Sequence, residues 1–144
     1  MLKTEATERP MLHPLHAVLL TYPIALFTAG LASDLAYLRT AEIQWSNFSS
    51  WLIAGALVTG GFVLAWAIIG FVIPGRASRM IGGLYCALIV LMWGSGLINA
   101  FQHSRDGWSS VGPTGIILSV VSTVAALCAG LIGFSRRGSP RARA

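Results

Sequence analysis

Four stretches of the chain carry no charged side chain: Pro10 to Ser33, Ile43 to Gly75, Met80 to Ser104 and Gly107 to Ser135. Each is longer than the ~20 residues needed to cross a hydrocarbon core of ~30 Å. Leu, Ala, Ile, Val and Gly dominate them without the period-2 alternation of a barrel strand, so each can satisfy its backbone in lipid only as a helix. The pattern predicts an all-α membrane protein, a four-transmembrane-helix up-and-down bundle. Punctuation sets the expected bounds at about 14–37, 47–73, 79–102 and 113–135. Pro14 and Pro113 suit a first turn, Ser46 or Asn47 and Ser78 are candidate N-caps, and Pro74 with Gly75 ends the second helix. A short second loop makes helices 2 and 3 antiparallel neighbours, and the other two loops are expected to hold about ten residues. The transmembrane domain then covers 13–135, with an N-terminal segment 1–12 and a basic tail 136–144. Lys3 and Arg9 are balanced by Glu5 and Glu8, and the first apolar run continues for a full span, so it reads as a retained helix and not as a signal peptide.

Composition agrees with this class and excludes a soluble one. The chain is 55% hydrophobic and 10% charged, against roughly 45–50% and about 25% in soluble proteins. The positive charges are sided. Lys3, Arg9, Arg76, Arg79, Arg136, Arg137, Arg141 and Arg143 share one face of the predicted topology, and Arg39 and Arg105 the other. By the positive-inside rule both termini are expected in the cytoplasm, the chain being multi-pass in a bacterial inner membrane. The same arginines beside anionic lipid account for the net charge of +5, so the expected partner is the bilayer and not nucleic acid.

Small residues recur at four-residue spacing: Ala56 and Gly60, Gly61 and Ala65, Gly96 and Ala100, and Ser122, Ala126 and Gly130. They mark close helix contacts, within the bundle or in a homodimer. Trp45, Trp51 and Trp108 fall near helix ends, where an indole anchors at the headgroup level.

The segment HPLHAVLLTYPIAL from His13, the Ser33-Asp34-Leu35 triplet and VIPGRASRMIG from Val72 resemble the bacterial integral-membrane family catalogued as domain of unknown function 2231. The resemblance runs from about His13 to Arg136 and implies four helices with no settled activity. Some relatives are joined to Rieske-type iron–sulfur domains, which implies a redox setting. Relatives carry an acid near the position of Gly70, and histidines near Tyr85 and, in some, Thr21; this chain departs from the pattern at each. His13, His16, Pro23 and Asp34 carry over.

Two groups of residues could bear chemistry. His13 and His16, three apart on one helical face, fall at the inner end together with Tyr85, Cys86 and Cys128. Such a set could bind haem b or a transition metal. The plainer reading gives His13 a capping role, makes the cysteines packing residues in a reducing compartment, and expects no cofactor. A haem held between His16 and His103 is excluded, because the rings lie ~25 Å or more apart by helical rise. The second group is Asp34, Asn99 and His103 at the outer end. Asp34 follows His16 by five turns and shares its face, which should look into the bundle. It is expected to pair with His103, with Arg105 competing; the pair either relays protons or fastens helix 1 to helix 3, the second being preferred because Asp34 lies near the interface, where it could reach water. Pro23 between them should kink helix 1, with Thr21 or Tyr22 capping a freed carbonyl.

Three function classes follow. The first is a non-enzymatic membrane component or anchor, working with redox or other membrane partners. The second is a haem- or metal-binding electron-transfer protein. The third is a small proton-linked transporter or channel, weakened by the lack of a midplane charge. Nothing pairs a nucleophile with a general base, so an enzyme is not expected.

Overall fold

A computed structural model of the chain describes residues 8–10, 12–73, 79–105 and 111–138. The Pro74–Gly75 breaker, the Ser78 cap, Trp108 and the end of the basic tail lie outside these residues. Four helices carry the fold: α1 (Pro14–Thr40), α2 (Ile43–Val72), α3 (Arg79–His103) and α4 (Pro113–Gly133). All four are long and apolar enough to span a membrane. The described residues add one feature, an antiparallel pairing of β1 (Glu8–Pro10) with β2 (Arg136–Gly138), Arg9 opposite Arg137. It sets the entry to α1 beside the exit from α4.

Local chemistry explains where α1 begins. Pro14 opens it, and the His13 side chain caps it, Nδ1 accepting from the Leu15 N–H at 3.3 Å. A proline in a first turn loses no helical bond. Pro23 sits inside the helix, which remains helical through it. The Thr21 hydroxyl donates to the Val18 carbonyl at 2.7 Å, one residue before the Leu19 carbonyl that a proline at 23 leaves without its N–H.

The first loop is far shorter than its composition implies. α1 runs on to Thr40 and α2 starts at Ile43, leaving Ala41 and Glu42 between them. Ala41 takes a left-handed conformation, φ 55°, and its N–H closes the helix onto the Tyr37 carbonyl at 2.8 Å. The cap of α2 is Glu42, acting through its backbone alone, and the expected caps Ser46 and Asn47 lie inside the helix. A non-glycine residue at positive φ is strained by about 1–2 kcal/mol, which the surrounding helix contacts must offset.

α1 and α3 each pack against α2 and α4, so α1 and α3 stand across the diagonal of a four-helix square. Small residues make the square tight. Ala56, Gly60, Gly96, Ser122, Ala126 and Gly130 are all buried inside the bundle. A Cβ on Gly96 would stand 2.5 Å from Phe27 Cζ, and one on Gly130 2.8 Å from Ile24 Cδ1. Phe27 thus reaches across the diagonal because α3 has no side chain opposite it. With lipid removing most of the hydrophobic drive between helices, this interlocking is the main source of association. Trp45 and Trp51 are exposed near the start of α2, and Trp93 binds the Leu57 carbonyl, tying α3 to α2.

Candidate functional site

Successive levels of the bundle pair one residue of α1 with the residue 69 positions later in α3. His16 meets Tyr85 and Asp34 meets His103, each across 69 positions. Between them the buried residues are Leu20, Pro23, Phe27, Gly30 and Ser33 on α1, and Ile89, Met92, Ser95, Gly96 and Asn99 on α3. The steps of three and four residues hold both faces to the axis. Because eighteen residues, five turns, separate the polar residues in both helices, the two pairs lie on the same diagonal about 27 Å apart.

At the outer pair the Asp34 carboxylate is fully buried, 0% exposed. This corrects the expectation that it reaches water. Oδ1 meets His103 Nε2 at 2.9 Å, and Oδ2 accepts from the Ser119 hydroxyl at 2.5 Å. Ser119 in turn accepts from Asn99 Nδ2 at 2.7 Å. Arg105 is exposed and takes no part. Asn99 therefore serves Asp34 through α4 and not directly. One turn inward, the Ser95 and Ser122 hydroxyls meet at 3.0 Å. Asn99 Oδ1 is the one buried side-chain polar atom among the described residues without a partner.

The proton count of this pair follows from its partners. His103 Nδ1 faces the Asn99 backbone carbonyl at 3.0 Å, which can only accept, so Nδ1 carries a hydrogen. Nε2 faces a carboxylate oxygen. The contact needs a proton there too, held as imidazolium and carboxylate or as imidazole and carboxylic acid. Either form is neutral overall, which is what a charge-intolerant interior requires.

At the inner pair, His16 Nε2 and the Tyr85 hydroxyl stand 2.7 Å apart, both residues buried. Trp66 of α2 meets His16 edge-on, centroids 5.3 Å apart, and stacks on the exposed His13 at 5.6 Å. A metal bound by both His16 and Tyr85, with bonds of about 2.0–2.2 Å, would hold the two atoms roughly 3 Å apart or more. The direct hydrogen bond does not fit such a metal between them. Cys86 and Cys128 are free and half-buried. Among the described residues no three of His, Cys, Asp or Glu converge as a metal site.

Several partners escaped the sequence reading. Ser119 sits in an apolar run and gives no sign of bonding a carboxylate. Trp66 lies six residues before the end of α2, in an apolar run where an indole reads as filler. The +69 correspondence could have been found by aligning HPLH…D with LYC…H, two segments of equal spacing but different residues.

Comparison with known proteins agrees with this architecture. The family model described as predicted membrane protein (DUF2231) matches residues 12–136. No curated protein and no solved structure matches the chain.

Proposed function

This chain belongs to the DUF2231 family of predicted membrane proteins, and from that premise we propose that it is a closed, non-conducting scaffold of the bacterial cytoplasmic membrane, serving membrane partners. The observation that carries this reading is the filling of the axis between the two polar pairs. Leu20, Phe27, Ile89 and Met92 are fully or almost fully buried there, and Phe27 rests against Gly96 with no room for a further Cβ. Protein interiors packed in this way leave no file for water. Among the described residues no chain of side-chain hydrogen bonds links Asp34 to His16. The polar pairs act instead as clasps at the two ends of one diagonal.

The specific observation favouring a second reading, proton-linked transport, is the burial of Asp34 and His103, since intramembrane ionisable groups commonly mark ion paths. One experiment separates the two. Purified protein in liposomes with a trapped pH dye, under an imposed pH gradient, should leak no faster than protein-free liposomes. A flux abolished by Asp34→Asn would overturn the scaffold reading in favour of a transporter. The same preparation should be colourless, and a Soret band lost in His16→Ala would make it an electron carrier.

A further inference from the structure

The inner pair is more than a clasp in its chemistry. Tyr85 is 4% exposed and His16 2% exposed, and their hydrogen bond can be oriented by counting. If Nε2–H donated, the Tyr85 hydroxyl proton would lack an acceptor among the described residues. With the phenol donating to Nε2, both atoms of the contact are satisfied, and His16 Nδ1 is not among the buried atoms left without a partner. The second arrangement leaves fewer groups unsatisfied and is favoured. A phenol therefore points its proton at an imidazole base. Aromatic rings continue from there to the surface, with Trp66 edge-on to His16 and the exposed His13 stacked on Trp66.

A phenol that loses one electron cannot keep its proton, and in a lipid interior no water stands ready to take it. A base already hydrogen-bonded to the hydroxyl removes that obstacle, because the proton moves along an existing bond. We propose that Tyr85 is a redox-active side chain, giving one electron to an external one-electron oxidant of the metal-complex class while its phenolic proton passes to His16 Nε2. The O–H bond of Tyr85 breaks and an N–H bond forms on His16. The products are a neutral phenoxyl radical, an imidazolium and the reduced oxidant. Electron return from the reduced oxidant re-forms the phenol: the N–H bond on His16 breaks, the O–H bond of Tyr85 forms again, and the oxidant is regenerated. Trp66 and His13 supply the aromatic path by which the electron leaves. This proposal goes beyond the scaffold reading and does not depend on it, since it concerns electrons and not ion flux.

The test uses the full chain in detergent micelles with flash-generated tris(bipyridine)ruthenium(III) as oxidant. Transient absorption and freeze-quench electron paramagnetic resonance follow the radical. The chain holds three tyrosines. A neutral phenoxyl signal should form in the parent, Tyr22→Phe and Tyr37→Phe proteins and be lost in Tyr85→Phe. His16→Gln keeps a hydrogen-bond acceptor but removes the base, and should slow phenoxyl formation by about 10²-fold, the lower end of what a positioned base contributes. A purely structural hydrogen bond predicts no such change. Deuterated solvent should also slow formation in the parent protein, a readout that holds even if His16→Gln does not fold. A phenoxyl signal that survives Tyr85→Phe, a radical confined to tryptophan, an unchanged rate in folded His16→Gln or no solvent isotope effect would each overturn the proposal.

Discussion

Replacing His103 by alanine strips the outer pair from one side. The substitution removes Nε2 from Asp34 Oδ1, at 2.9 Å, and Nδ1 from the Asn99 carbonyl, at 3.0 Å. The fully buried carboxylate then keeps only Ser119. Breaking a buried pair in this way destabilises by about 3–5 kcal/mol. Asp34→Ala leaves the imidazole and Ser119 without their acceptor and should fall in the same range. If the losses were independent, the double variant would lose roughly 6–10 kcal/mol, twice the single range. Both substitutions remove the same contact, so the double variant should retain a coupling of about 2–3 kcal/mol, the upper part of the range for neighbours. That magnitude is diagnostic, because interhelical hydrogen bonds in membranes average only ~0.6 kcal/mol and reach ~1.7. Unfolding in mixed micelles by titration with sodium dodecyl sulfate, followed by tryptophan emission, measures all four proteins. A coupling of about 0.6 kcal/mol or less would refute the reasoning, showing the pair to be an ordinary hydrogen bond.

Two further outcomes test the frame around the pairs. Gly96→Ala places a methyl group 2.5 Å from Phe27 Cζ and should lower stability by about 1–3 kcal/mol, with partial recovery on adding Phe27→Leu in the same micelle titration. Reporter fusions at either terminus should read as cytoplasmic and one inserted near Ser109 as external; an external C-terminus would reverse the orientation drawn from the arginine and lysine count.

The four spans were legible because lipid tolerates so few charges that their absence over twenty residues carries meaning by itself. The meeting of Asp34 and His103 was legible for a related reason. A carboxylate in such a segment must face inward, and few groups at its level can receive it. Depth was misjudged, since counting residues along α1 says how far Asp34 lies from the helix end but not that α3 and α4 close over it. Ser119 was invisible because a serine in an apolar span often bonds only its own helix, as Ser33 does to Ala29. The α1–α2 turn was overestimated because Thr40 to Gln44 look like loop residues, and the left-handed position falls on Ala41, where neither glycine nor asparagine marks it. At the inner end, depth alone grouped Tyr85 with His13 and His16 as candidate ligands, but it could not show that the phenol and His16 meet in a direct hydrogen bond.

The equal count between the polar residues of α1 and α3 constrains how such a chain can change in length. A single residue inserted between His16 and Asp34 would turn everything after it by about 100° and raise it by 1.5 Å, which swings the carboxylate off the diagonal. A matching insertion between Tyr85 and His103 would raise the histidine equally but turn it in the same sense, so on these parallel helices the two side chains would point to opposite sides of the diagonal. The two helices therefore behave as a pair of rulers marked in whole turns. A chain that lengthens one span between its polar residues keeps both clasps only if the other lengthens by the same number and that number makes nearly whole turns, about seven residues for two.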